Sequence, residues 1–341
     1  SIKKNGVYQQ VKKSLSGYRV YEFSGIEANP EYETCLKAVR MVKEKKISFI
    51  LAVGGGSVLD AAKFISAASK FAGKNPWSIL QTSGRDVKSA LPIGTVLTLP
   101  ATGSESNGNS VISRSETKEK LYFSAQCVYP KFSILDPETT YSLPKKQVRN
   151  GIVDSFVHVM EQYMTFPSNS PLQDRFAEGI IQTLIEISPS ALGKKMDYES
   201  RASFMWCATL ALNNLIGCGV PQDWATHMIG HELTAFYGLD HAETLAIIMP
   251  GVWKHKLNSK KKKLEQLGSR VFGVKAAWQT INATEKFFHS LEMPTRLGDY
   301  KINAKEAAEK IRARFAERKA VCGEQEDIRA EEAYKIVLSR A

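Results

Sequence analysis

The sequence has no apolar run of the roughly eighteen residues needed to cross a bilayer, so a membrane-spanning helix is not expected. Residues 1–20 lack the charged-then-apolar order of an export signal, and a cytoplasmic location is expected. There is no C-x-x-C pair, and Cys35, Cys127, Cys207, Cys218 and Cys322 are scattered and odd in number, which excludes a disulfide framework and fits reduced thiols. H-E-x-x-H is missing too: Met228 follows His227, and Glu232 follows His231 instead, so a zinc protease is disfavoured. A G-x-G-x-x-G fingerprint counted from Gly54 fails at Leu59, and no G-K-[ST] follows to make a P-loop. Clustered basic charge is equally scarce. The formal charge is +11, but lysine and arginine are spread along the chain apart from Lys260–Lys263 and a basic tail. A nucleic-acid partner needs a basic face, usually with interleaved aromatics, so none is expected, and a solvated helix face accounts for the lysine run.

What is present reads as a soluble globular protein, with 43% hydrophobic and 24% charged residues over 341 positions, too long for one ordinary core. Residues 1–144 alternate β-rich apolar runs with helical patterns, the pattern of a parallel sheet covered by helices. Ile47–Val53 reads as a buried strand that ends in Gly54-Gly55-Gly56-Ser57 and enters a helix over Val58–Lys70. Leu91–Leu99 is a second strand, followed by a small polar loop over Ala101–Asn109, and Lys131–Leu135 is a third. Over 145–341 apolar residues recur three and four apart with few β-branched clusters, and this domain is expected to be nearly all helix. The fold class is therefore α/β followed by all-α.

A buried strand feeding three glycines, a serine and a helix suits an anion, because glycine allows close backbone approach and a helix start offers N–H donors. A tight strand-to-helix turn with no ligand has the same sequence, and the motif alone leaves both open. Asp60, one turn into the helix, can bond the loop or favour the helix dipole. The polar loop in Thr98–Ser106 leaves the next strand at the same carboxyl edge, where open α/β sheets bind ligands.

In the second domain Asp154 and His158 lie four apart on one helical pattern, and His227 and His231 four apart on another that Gly238 closes. Asp240-His241 follows in a loop. A divalent cation needs nitrogen and oxygen donors converging from rigid elements, and Asp154, His158, His227 and His241 offer one carboxylate and three imidazoles from two helices and a loop. Hydrogen-bonded core histidines would show the same spacing, and the residues alone leave that alternative standing. His255 and His289 stand apart and receive no function. Trp206, Trp224, Phe236 and Tyr237 suggest a mainly apolar substrate cavity.

GGGSVLDAAK (54–63), TLPATGSE (98–105), LDP (135–137), GIVDSFVHVMEQY (151–163) and HMIGHELTAFYGLDHAETLAI (227–247) together resemble the iron-containing, group III alcohol dehydrogenases. VPQDWATHMIGHEL and QDRFAEGI are similar to the NADPH-dependent aldehyde reductase and butanol dehydrogenase branch. The resemblance implies a Rossmann-like nucleotide-binding domain, then a helical metal-binding domain, and hydride transfer between NADP(H) and an aldehyde or primary alcohol. It implies one divalent ion, iron or zinc, on Asp154, His158, His227 and His241, with His231 beside it as a proton relay. Gly55, Gly56 and Ser57 would hold the pyrophosphate, Asp60 would support that loop, and Thr98, Thr102 and Lys120 would line the rest of the cofactor path. The resemblance also implies a β-hairpin and a first strand ahead of residue 1, with Ser1 closing the glycine-rich loop beside the adenosine ribose. Without that strand, weak cofactor binding or an exposed sheet edge is expected. Ser1, Lys3 and Lys4 would not repel a 2′-phosphate, which favours NADP(H) over NAD(H). A homodimer is expected from the family. The rival readings are an NAD-dependent relative acting on a polyol, a non-redox relative of the dehydroquinate synthase kind, and a cofactor sensor with a structural metal.

Overall fold

The computed structural model describes residues 2–193 and 197–341. The chain divides into two compact units, unit 1 comprising Ser1–Gln147 with Lys195–Thr209, and unit 2 comprising Val148–Lys194 with Leu210–Ala341. Relative to a single cut after residue 144, unit 1 also takes in the segment Lys195–Thr209, from which Met205 joins the core around Ala52, Leu59, Ala62 and Leu97. Among the described residues no helix is long and apolar enough to cross a membrane.

Unit 1 opens with helices α1 (Val7–Ser14) and α2 (Tyr32–Glu44), then β1 (Ile50–Gly55), α3 (Gly56–Lys70), α4 (Ser78–Gln81), β2 (Ile93–Leu99), a hairpin of β3 (Asn109–Arg114) and β4 (Glu119–Ser124), and β5 (Phe132–Leu135). The sheet runs β1-β2-β5, all parallel, with Ile50 opposite Ile93 and Gly94 opposite Phe132. Parallel strands need crossovers, and α3 supplies the one from β1 to β2. Its alanines at 61, 62, 67 and 68 are small enough to bring it close to the sheet on one side and the hairpin on another, so it is buried almost all round. An aromatic cluster closes the core: Tyr32 meets Phe64 at 5.8 Å and Trp77 at 5.1 Å, and Phe64 meets Phe123 at 6.4 Å. Truncating Phe64, fully buried, to Ala would cost about 3–5 kcal/mol.

The strands begin one to three residues later than the apolar runs, and α3 starts at Gly56 rather than Val58. Apolarity marks what is buried, whereas pairing marks where a strand runs, and the two differ at the ends. The hairpin was not expected. Its strands are short and half polar, and only Ile112, Phe123 and a few neighbours bury a side chain.

Among its described residues the regular elements of unit 2 are all helices, joined by loops and one isolated bridge between Cys322 and Ile328. Helix α5 (Lys145–Tyr163) enters it from residue 148, followed by α6 (Pro171–Ala191); α7 (Tyr198–Ala211) belongs to unit 1 up to Thr209, and unit 2 continues with α8 (Ala225–Tyr237), α9 (His241–His255), α10 (Leu257–Leu267), α11 (Ala277–Ser290), α12 (Ala304–Arg318) and α13 (Ala330–Leu338). Residues 151–163 of α5 are all buried, which makes it the central helix. The lysine run on α10 is not a solvated face. Lys260 is 1% exposed and bonds Asp223 at 2.6 Å and Glu324 at 2.9 Å, while Lys263 pairs with Asp174. Lys261 and Lys262 alone of the four lie in water.

Candidate metal centre and nucleotide loop

A helix buried on every side must satisfy its polar residues from its neighbours. Asp154, His158 and Glu161 follow one another on α5 at spacings of four and three, so all point to one face. That face meets the first turn of α8, which begins after Trp224 in the left-handed region (φ 62), a conformation that costs a bulky residue on the order of 1–3 kcal/mol. The start of α8 is held from outside: Asp223 Oδ1 accepts the Ala225 N–H at 2.9 Å and Glu161 Oε1 accepts that of His227 at 3.0 Å. Gly238 (φ 69) ends the helix. The chain then starts α9 with Asp240 as N-cap, whose own N–H is accepted by Glu243 at 3.1 Å. His241 is therefore the first residue of α9 and not part of a loop. Asn150 on α5 reaches Asp240 Oδ2 at 3.1 Å and ties the two helices together beside it.

These elements bring Asp154, His158, His227 and His241 together, with one ligand atom of each lying within 4.8 Å of the others. Asp154 Oδ1 stands 3.7 Å from His158 Nε2 and 3.7 Å from His241 Nε2. Those separations are too long for hydrogen bonds. They suit donors sharing one ion, since tetrahedral ligands each about 2.1 Å from a cation stand about 3.4 Å apart. Among the described residues Asp154 Oδ1 accepts no hydrogen bond although it is buried. The rings of His158 and His227 stack at 4.8 Å, and His227 and His241 lie 5.3 Å apart. The donor set, one carboxylate oxygen and three imidazole nitrogens, fits a single divalent ion of zinc or iron type. His231 lies outside the four but beside them, its ring 5.3 Å from His241 and 6.3 Å from His227.

Behind the ligands, His227 Nδ1 lies 3.0 Å from Glu161 Oε1. Burial, reinforced by neighbouring Asp223, pushes the Glu161 carboxyl up to about 8, against the pull of the His227 N–H, Lys260 and Thr226. Burial would by itself lower the Lys260 ammonium, but Asp223 and Glu324 outweigh it and the net direction is upward.

In unit 1 the residues expected at the pyrophosphate form the start of α3, with Gly55 as N-cap and Gly56 and Ser57 in the first turn. A Cβ on Gly56 would lie 2.5 Å from Thr102 Oγ1, so the glycine is what lets the loop after β2 approach the helix start. The Ser57 hydroxyl donates to the Ala28 carbonyl. Asp60 is buried and accepts from Ser104 Oγ at 2.6 Å and from the Val111 N–H at 2.9 Å, so these bonds tie α3 to the loop after β2 and to β3. Thr98 is buried near the end of β2, and Lys120 on β4 reaches Asn29 Oδ1 at 3.2 Å. Ser1 lies outside the described residues.

The family described as iron-containing alcohol dehydrogenase matches residues 1–137, and its C-terminal counterpart matches residues 149–339. The chain belongs to the iron-containing alcohol dehydrogenases. It is 54% identical over 310 residues to the NADPH-dependent aldehyde reductase YqhD of Escherichia coli, covering 89% of this chain and 80% of that one. NADP-dependent alcohol dehydrogenase 3 of Entamoeba histolytica is 46% identical, covering 92% and 83%. Among solved structures, that of E. coli YqhD has a TM-score of 0.98 at 50% identity, over 100% of this chain and 89% of that one. NADH-dependent butanol dehydrogenase A of Thermotoga maritima has a TM-score of 0.94 at 34% identity, over 100% and 88%. This member of the iron-containing alcohol dehydrogenases is accordingly an oxidoreductase with the fold of those relatives.

Two groups of functional side chains in this dehydrogenase escaped the sequence reading. Glu161 is one; its only signal is that it continues the Asp154, His158 face by three residues. Lys63 is the other. It is fully buried and donates to Ser104 Oγ at 2.8 Å, Asn107 Oδ1 at 3.1 Å and the Asn109 carbonyl at 2.8 Å. Of the four aromatic rings expected at an apolar cavity, Trp224 stands beside the ligand cluster, 5.2 Å from His227 and 6.3 Å from His158. The Arg314 guanidinium covers Phe236 at 4.8 Å and Lys310 lies over Tyr237 at 5.1 Å, so both rings pack against α12, and Trp206 is 57% exposed.

Proposed function

We propose that this enzyme passes a hydride between NADP(H) and an aldehyde or primary alcohol, using one divalent ion, iron or zinc, held by Asp154, His158, His227 and His241. The observation that carries the reading is the placement of Asp154 Oδ1 at 3.7 Å from two separate imidazole nitrogens, outside hydrogen-bonding range and inside the range of shared coordination. Held by a single carboxylate and three neutral imidazoles, such an ion would keep net positive charge and would supply Lewis-acid stabilisation of negative charge on the substrate oxygen. The chain's own residues supply the rest. His231, buried next to His241, passes a proton between the substrate oxygen and solvent. Gly55, Gly56 and Ser57 hold the pyrophosphate on the N–H groups of the first turn of α3, Asp60 secures that loop, and Thr98, Thr102 and Lys120 line the remaining path.

The preference for NADP(H) draws on the names of the relatives at 54% and 46% identity, one NADPH-dependent and one NADP-dependent. Lys3 and Lys4, with Ser1 before them, put no acidic side chain beside the expected ribose. The working form is a cytoplasmic homodimer, a reading supported by the free cysteines and by the family resemblance.

Elemental analysis of the purified protein, combined with a panel of short aldehydes assayed against NADPH and NADH, tests the reading. About one divalent ion per chain and faster oxidation of NADPH are expected. His227→Ala should lose both metal and turnover, and full activity in that variant rejects the ligand set.

A further inference from the structure

One buried carboxylate touches the ligand cluster from outside, and the chemistry above leaves it without a role. Glu161, 4% exposed, stands on α5 one turn beyond His158. Its Oε1 accepts the backbone N–H of His227 and lies equally close to the ring Nδ1 of that residue, each at 3.0 Å. Its carbonyl accepts the Asp223 N–H at 2.8 Å. The first turn of α8 is thus attached to Glu161 at two points and the residue before its N-cap at a third, in a helix whose own N-cap residue supplies no side-chain acceptor.

Chemistry assigns the proton in this contact. The Oε1 that accepts the His227 backbone N–H faces the ring as an acceptor as well, so Nδ1 carries the hydrogen and Nε2 carries the lone pair, the form a cation requires of an imidazole. A cation on Nε2 would favour the carboxylate form of Glu161, and drawing the Nδ1 hydrogen toward that oxygen would enrich Nε2 and make it the stronger donor. Rotating the ring by half a turn would lose the contact. Asp223, which steadies this arrangement through the Ala225 N–H, is in turn gripped by Lys260, whose ammonium also bonds Glu324 and the Met164 carbonyl.

We infer that Glu161 is a positioning residue that selects the Nδ1–H tautomer of His227 and strengthens its Nε2 as a donor. The inference rests on the ligand reading above, in which His227 holds the metal. A helix cap needs only an acceptor, which glutamine also offers; donor strength needs the charge, which only glutamate offers. Glu161→Gln therefore separates the two uses.

The experiment strips metal from wild type, Glu161→Gln, Glu161→Asp, His227→Ala and the Glu161→Gln/His227→Ala double variant, then titrates each with Co²⁺ or Zn²⁺ against a chromophoric chelator. Glu161→Gln is expected to bind about 10–100-fold more weakly than wild type, with an unchanged apo melting curve. Glu161→Asp should recover part of that loss. In the His227→Ala background the glutamine should matter by less than about twofold, since its route to the metal is gone. Wild-type affinity in Glu161→Gln, or an undiminished loss in the double variant, overturns the inference and leaves the ligand set intact. A folded wild type that binds neither ion overturns both. Nitrogen NMR of the histidine rings in apo wild type, with His227 assigned from the His227→Ala spectrum, needs no Glu161 variant to fold: Nδ1–H supports the inference, and Nε2–H overturns it.

Discussion

Asp60 and Lys63, one turn apart on α3, share a single hydroxyl: Ser104 Oγ donates to Asp60 at 2.6 Å and accepts from Lys63 at 2.8 Å. Glu105 stands next in the chain, buried and bonded by Thr209 at 2.6 Å. The loop after β2 is therefore fastened to the helix that follows the glycine run by a buried arrangement of charge. One ammonium faces two carboxylates, and each group disturbs the titration of the others.

Removing the ammonium should be costly near neutrality. Lys63→Met leaves Asp60 and Glu105 buried without it, a loss on the order of 3–5 kcal/mol. Burial already holds both carboxyls above their usual range; Lys63 is the main pull back on Asp60, and it adds to the Thr209 hydroxyl and a backbone N–H in pulling back Glu105. A carboxyl raised in the folded state loses stability as pH climbs through its unfolded value, so the defect of the variant should shrink on acidification toward pH ~4. Lys63 itself has the opposite slope. Burial lowers its ammonium to about 8, so the wild type is relieved of a charged-lysine penalty as pH rises from about 8 to about 10.5, and the variant should lack that gain. Urea unfolding at several pH values measures both. A defect independent of pH would remove the electrostatic explanation.

Metal removal should lower the melting temperature of the whole chain. A ligand that binds only the folded state adds about 4 kcal/mol at a thousandfold excess over its dissociation constant. Asp154→Asn should melt like chelator-treated wild type and respond no further to chelator. Identical melting curves with and without a strong chelator, on protein shown to have carried metal, would count against these four side chains as its holders.

At the glycine loop a methyl group is the sharpest probe. Gly56→Ala places a Cβ 2.5 Å from Thr102 Oγ1, so either the loop after β2 or the start of α3 must move. Dinucleotide affinity should fall by about tenfold or more, given the close backbone approach a pyrophosphate demands. Metal content should stay as in wild type, because the ligands belong to unit 2. Fluorescence titration with NADPH beside elemental analysis tells whether the two sites separate in this way.

His231 is expected to affect turnover without affecting metal. His231→Phe should keep its ion while kcat falls by about 10²–10⁴, the usual worth of a positioned proton-transfer group. Loss of metal in that variant would make His231 a ligand, contrary to its place outside the four converging donors.

Features set by neighbours within a few residues were legible in the sequence. Asp154 and His158 share a face because four residues make about one helical turn, wherever the helix goes. Gly238 stops α8 because a left-handed residue is cheapest without a side chain, and Gly54–Gly56 mark the end of β1 for a similar local reason. The succession of apolar runs separated the α/β part from the helical part on the same grounds. Only tertiary structure could decide how distant segments answer one another. Lys260 is buried because Asp223, 37 residues away, and Glu324, 64 residues away, surround its ammonium, and a lysine in a basic run carries no local mark of such partners. Glu161 bonds a histidine 66 residues away, and His241 begins a helix whose cap is tied to Asn150, 90 residues before it. The physical reason is the same in each case: a local pattern says which way a side chain points along its own element, while burial, pairing and coordination depend on what the fold places opposite.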